Sequence, residues 1–274
     1  AWLMAEDLAY STIPEETKAG LKNLELLWYA GEEDIDQDFL VGLPNLNSLI
    51  IENWDSTDFS DFQFDKLKNL ESLTIVESDI HDLSPIAALT GIRELNLIYC
   101  DSLKEIGALN DLSGIRSLGL NGCENITDIS AILQIPQLTR LSLPEHTTQM
   151  EFNEIVNRHS TLKVLELIGC DGITDLSPLV ASNELKALTL DIDIHDLNPV
   201  HQLTGLELLV LAEDFFEDSI AISETRHALP DTRIVAGGGF CLGSGWILLL
   251  FPAIIILVFL RKRLSPSRHA RFDQ

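Results

Sequence analysis

The chain has 274 residues, and its formal net charge of −25 comes from 43 acidic side chains against 18 basic ones. That balance excludes a soluble nucleic-acid binder, because phosphates would meet net repulsion and no basic face large enough to overcome it. Hydrophobic residues at 46% exclude a disordered acidic tail, and four irregularly spaced cysteines exclude a disulfide-stapled mini-protein.

The chain opens on Ala1-Trp2-Leu3-Met4 without an initiator Met. A removed signal peptide or an N-terminally truncated fragment is expected. Residues 1–20 read as a cap or the remnant of a repeat, because Ile13-Pro14 echoes the helix starts found further on.

From residue 21 one phrase recurs: L-x-x-L-x-x-L-x-L. It runs Leu43-Leu46-Leu49-Ile51, Leu67-Leu70-Leu73-Ile75, Leu89-Ile92-Leu95-Leu97 and Leu112-Ile115-Leu118-Leu120, then continues in frames that start at 135, 159, 182 and 203, the later copies reading Leu162-Leu165-Leu167, Leu185-Leu188-Leu190 and Leu203-Leu206-Leu209-Leu211. With an early copy at Leu21-Leu24-Leu27-Tyr29, the nine frames start 21 to 24 residues apart. The alternating L-x-L predicts a short strand with one buried face. A single coil cannot cover its own apolar edge, so successive coils must stack. A second phrase appears as Ile80-His81-Asp82-Leu83-Ser84-Pro85, Ile173-Thr174-Asp175-Leu176-Ser177-Pro178 and Ile194-His195-Asp196-Leu197-Asn198-Pro199. Ser or Asn before Pro predicts a helical turn opened by its own capping oxygen. In the longer sixth repeat, Phe152, Ile155 and Val156 predict a fuller helix. Leu229 to Val235 reads as a last partial strand closing the stack.

These phrases resemble the leucine-rich-repeat family over residues 21–235, and their wording is similar to the internalin-type repeats of bacterial surface proteins. The resemblance implies an α/β repeat fold: a solenoid with a concave parallel β-sheet and short convex helical turns. It also implies that the concave face is the binding surface, with a protein or glycan as ligand, no cofactor and no catalysis. In this phase the central concave column is Trp28, Ile50, Thr74, Asn96, Gly119, Ser142, Glu166, Thr189 and Val210. Trp28, Ile50, Thr74, Asn96, Glu166 and Thr189 are the candidate ligand-binding residues, with Trp28 and Ile50 expected to be exposed as a contact patch or packed under the N-terminal segment. Among the concave positions only Glu52, Glu94, Arg140, Glu166 and Asp191 are charged, a net of −3.

The family fills the position three residues past the L-x-L phrase with a buried Asn or Cys that bonds the loop backbone. Here that position holds Glu32, Trp54, Ser78, Cys100, Cys123, His146, Cys170, Asp193 and Asp214. Cys, Cys, His, Cys on successive rungs suggests zinc ligands. Rungs about 4.8 Å apart would string four ligands along roughly 14 Å, too far for one ion, so a buried ladder of inert thiols is expected. Cys100 and Cys123 come near enough for a disulfide, which the ladder reading leaves unformed.

Glu32-Glu33-Asp34-Ile35-Asp36-Gln37-Asp38 resembles the start of an EF-hand loop. Phe39 stands where the turn needs Gly, and Asn45 where a bidentate Glu should close the site. A solvated acidic loop is expected, with weak calcium binding by Asp34, Asp36 and Asp38 left open. His81 and His195 are expected on the solvated convex side. Asn125-Ile126-Thr127 is a glycosylation sequon, and no phosphate loop, nucleophile elbow or His-Glu-x-x-His appears.

Residues 236–239 form a Gly-rich linker to the C-terminal end. Residues 240–260 carry no charge and include fifteen consecutive apolar residues from Trp246 to Leu260. At about 1.5 Å per residue they make about 31 Å of helix, enough to cross a bilayer core. Arg261-Lys262-Arg263 follows, and residues 261–274 hold five basic side chains and one acidic one, so the first 260 carry −29. A single-pass transmembrane helix with a basic cytoplasmic tail is expected, the repeats lying outside the cell. Gly237-Gly238-Gly239, Cys241 and the basic cluster also resemble a cleaved sorting signal of Gram-negative bacteria. That resemblance implies a secreted or surface-sorted adhesin.

Overall fold

A computed structural model describes residues 2–5, 15–30, 37–53 and 62–237. The chain divides into a compact unit over residues 1–237 and a second over residues 238–274. The expected transmembrane helix 240–260, the expected cytoplasmic tail 261–274 and residues 238–239 of the linker lie outside the described residues, as do Glu32, Asp34, Asp36 and Trp54. Among the described residues no helix is long and apolar enough to cross a membrane.

The period-2 phrase becomes a strand in every repeat. The strands are β1 (Trp2–Ala5), β2 (Leu26–Ala30), β3 (Ser48–Glu52), β4 (Ser72–Val76), β5 (Glu94–Ile98) and β6 (Ser117–Gly119), followed by β7 (Arg140–Ser142), β8 (Val164–Ile168), β9 (Ala187–Asp191), β10 (Leu208–Leu211) and β11 (Arg233–Ala236). All pair in parallel in sequence order, giving one eleven-stranded sheet among the described residues. Register follows the leucines: Leu27, Leu49, Leu73, Leu95, Leu118 and Leu141 are successive partners, each with no exposed surface. Burying each stabilises the stack by about 1.5–3 kcal/mol relative to exposure, and any slip of register would move the whole set to water. The fold is therefore a leucine-rich-repeat solenoid, whose core is the continuous file of these side chains under the sheet.

The convex returns are mostly single 3-10 turns, as at Ser84–Ala88, Gly107–Asp111, Ser130–Gln134 and Ser177–Ala181. The capping oxygen differs from the sequence expectation. Ser84, Ser177 and Asn198 cap nothing with their own side chains; each donates its backbone N–H to the Asp two residues earlier, Asp82, Asp175 or Asp196, at 2.7, 2.8 and 2.9 Å. Asp128 does the same for Ser130 at 2.9 Å. The carboxylate reaches back over a two-residue turn, a geometry that Asx side chains favour.

Among the described residues, five α-helices complete the returns: α1 (Glu15–Leu21), α2 (Gln37–Val41), α3 (Gln149–Arg158), α4 (Asn198–His201) and α5 (Ser219–Ala228). In α3, Phe152, Ile155 and Val156 are buried, and Thr148 and Glu151 form a reciprocal capping box. Gln149 ties α3 to the next coil, its Oε1 accepting the N–H of Thr174 and Asp175 at 2.8 and 2.9 Å. The helix α5 has no counterpart in the repeat phrase. His201 Nε2–H donates to Thr225 Oγ1 at 3.1 Å, and Thr225 in turn donates to the Ala221 carbonyl, so α5 docks against the last full coil.

Candidate functional site

Strand pairing aligns Trp28, Ile50, Thr74, Asn96, Gly119, Ser142, Glu166, Thr189 and Val210 in one file across the sheet. The file lies on the face opposite the buried leucines. Trp28, Asn96, Glu166 and Thr189 are half-buried and face outward from it. Ile50 is only 5% exposed and Thr74 only 3%, so Ile50 is not the exposed contact residue expected from sequence. Trp28 is the strand partner of Ile50, and its Nε1–H donates to Glu52 Oε2 on β3 at 2.8 Å.

The middle of the face is low and polar. A Cβ on Gly119 would stand 2.7 Å from Asn96 Oδ1, so the Asn96 amide rests in the hollow that the glycine leaves. Ser142 donates its hydroxyl to Asn121 Oδ1. Arg140, Glu94, Glu166 and Asp191 have no ion pair or side-chain hydrogen bond among the described residues, whereas Glu52 is engaged by Trp28.

Beside the sheet runs a second file of partners. Ser78, Cys100, Cys123, Thr147 and Cys170 are all buried, and each points its hydroxyl or thiol at backbone carbonyls of the strand ends or the turns after them. Ser78 Oγ donates to Val76 O at 2.9 Å, Cys123 Sγ to Leu97 O at 3.6 Å, Thr147 Oγ1 to Pro144 O at 2.7 Å and Cys170 Sγ to Pro144 O at 3.5 Å. Glu77, Tyr99, Gly122 and Gly169, the residues just before four of these rungs, take left-handed backbone with φ of 47, 53, 70 and 65°. That conformation turns the next side chain inward.

Two sequence assignments to this file are corrected. His146 is exposed and Thr147 takes its rung, because the turn after Leu143 begins with Pro144 and holds one extra residue. Asp193 and Asp214 are exposed and lie outside the file, since burial of an unpaired carboxylate is costly. The three described cysteines are free thiols. Burial pushes the Cys170 thiol up to about 12. The hydrogen bond shared with Cys100, followed by burial, raises Cys123 still further. Held neutral and away from water, Cys123 and Cys170 are neither nucleophiles nor metal ligands, and among the described residues no His, Cys, Asp or Glu group is placed to hold a metal ion.

Two features were not anticipated from sequence. His159 is 3% exposed, its Nε2–H donating to Ile132 O at 3.0 Å, and burial holds its pKa below the usual imidazole value. A cleft of about 740 Å³ lies between the 191–198 loop and α5, lined by carboxylates including Asp193, Asp196, Asp214, Asp218 and Glu224. Asp196 and Asp218 there cap backbone N–H groups of α4 and α5. His195 faces Asp193 at 3.7 Å with both side chains solvated. Neither feature carries a sequence motif: one is a helix-end histidine and the other arises where α5 folds back.

No protein-family model matches the sequence, and no curated protein matches it. Solved structures do match. An internalin from Listeria monocytogenes is similar with a TM-score of 0.57 at 22% identity, over 80% of this chain and 68% of its own. Internalin C2 of the same bacterium is similar with a TM-score of 0.52 at 21% identity, over 81% of this chain and 91% of its own. The likeness is one of fold.

Proposed function

We propose that the chain is a non-catalytic display module: a single-pass membrane protein whose leucine-rich-repeat domain lies outside the cell and binds a protein ligand on its concave face. The observation that carries this reading is the division of labour across the sheet. One face is spent on an unbroken leucine file, while the other presents side chains that change from rung to rung. A fold built this way separates stability from recognition, so the exposed column is free to vary with the partner. Anchoring rests on residues 240–260 and the basic residues behind them.

Deleting residues 240–274 and fractionating the product tests the anchor. A folded protein leaving the membrane fraction is expected; an insoluble or unfolded product would count heavily against the reading. A surface-sorted adhesin whose C-terminal helix is cut away is the second reading, favoured by the glycines at 237–239 and Cys241. Mass spectrometry of the mature C-terminus separates the two. A glycan ligand is the alternative on the binding side, distinguished by which class of probe the concave face retains.

A further inference from the structure

We infer that the protein ligand of the concave face presents one carboxylate opposite Arg140, with basic side chains opposite Glu94, Glu166 and Asp191. The inference rests on the concave-face reading above and adds the chemistry of the partner. Arg140 shares a file with Ser117 and Glu94, so Glu94 lies two rungs away, roughly 10 Å. Glu166 stands one rung beyond Arg140 in the central file, and Asp191 one rung further in the downstream file. The four charges thus span β5 to β9, roughly 20 Å across the sheet. Arg233, the other cation of the Arg140 file, is at the end of the sheet on β11.

Among the described residues none of the four has an ion pair or a side-chain hydrogen bond. The groups between them are short, Ser117, Gly119 and Ser142, so a docked segment comes close to the sheet and strips water from the charges. An uncompensated charge buried in an interface opposes binding strongly, whereas an opposite charge at each point turns the same groups into register marks. A neutral apolar segment would strand all four. A uniformly basic one would meet Arg140. The pattern acid-within-bases is the one the face accepts.

A random dodecapeptide library displayed on phage, selected on the full chain in detergent micelles, tests this. Enriched peptides should carry Lys or Arg with one Asp or Glu at a constant spacing. Arg140→Glu should weaken the parent peptide about tenfold or more, and reselection should replace the acidic position by Lys or Arg. Glu166→Lys should convert one basic position to an acidic one. Arg140→Gln, with less risk to folding, should remove the acidic preference without reversing it. Asn96→Trp fills the concave hollow without touching any of the four charges and should abolish binding of every enriched peptide. If Asn96→Trp leaves binding intact, the concave-face reading itself fails, and this inference with it. If Asn96→Trp abolishes binding but the charge variants leave the consensus unmoved, only the inference is overturned. Enrichment of no peptide, with retention of glycan probes instead, also overturns it.

Discussion

The indole Nε1–H of Trp28 donates to Glu52 Oε2 on the neighbouring strand at 2.8 Å. The bond fixes the one large aromatic of the central file beside Ile50, its strand partner. Glu52→Ala is expected to cost about 1 kcal/mol, the net worth of a part-buried bond, and Glu52→Gln less, because an acceptor oxygen remains. Thermal unfolding followed by circular dichroism measures both; equal losses for the two variants would argue against the bond.

At the downstream edge of the sheet, Tyr99 lies over Gly122, where a Cβ would come within 2.2 Å of its ring and where φ is 70°. Gly122→Ala therefore combines a left-handed penalty with a clash against a ring. A loss of about 2 kcal/mol or more is expected. Tyr99→Ala in the same chain should recover part of it, and no recovery would mean that the strain is all in the backbone.

The buried thiols give a chemical and a pH prediction. In the folded chain Cys100, Cys123 and Cys170 should resist a thiol reagent that reacts at once in denaturant, so native labelling should not exceed one equivalent, from Cys241. Cys170 has its folded pKa raised from 9.0 to about 12 by burial. Its contribution to stability is complete below pH 9 and is lost as pH rises through the folded value. Alkaline unfolding curves should be flatter in that window for Cys170→Ala, although the variant starts less stable. Rapid native labelling of three thiols would refute the buried file.

Asp128 and Asp175 are held below the usual carboxylate range by the hydroxyls of Ser130 and Ser177, followed by their backbone N–H groups. A lowered folded pKa gives stability that is present above the unfolded value, about 3.9, and lost as pH falls through the folded one. Asp175→Ala should cost about 0.5–2 kcal/mol at neutral pH, as for other lost caps, with Asp175→Asn nearer the parent. The gap between parent and Asp175→Ala should close in strong acid. A gap independent of pH would assign the loss to something other than the ionised cap.

His159 works in the next window up. Its folded pKa is lowered by burial, so the unfolded chain takes up the proton first. Stability is full above about pH 6.5 and falls as pH drops through the lower folded value. His159→Gln should flatten the unfolding midpoint between pH 7 and 5 while lowering it overall, since Gln can still donate to Ile132 O but fits the ring cavity poorly. An unchanged slope would show that the imidazole titrates normally.

The repeat phrase was legible because each leucine position has one environment, the core, whatever the neighbouring rung carries. Burial on the outer face depends instead on what stands on the adjacent strand. Ile50 and Ser142 are buried while Glu166, in the same file, remains half-exposed, a difference that the repeat phrase does not carry. The caps were legible as a position but not as a residue: Ser84 marks the helix start, and Asp82 supplies the oxygen.

What the sequence by itself determined is the phase: which residues face the core, which form the central concave file, and the order of the strands. A period-2 strand in a stack of parallel coils leaves no second register that buries the leucines. Only the tertiary structure decided which outer residues are reachable, where the buried file steps from His146 to Thr147, and that Arg140 has no ion-pair partner among the described residues. Those outcomes turn on a proline without an N–H, one extra residue in a turn, and the reach of side chains between rungs. Such contacts join residues more than 20 positions apart, and a local pattern does not contain them.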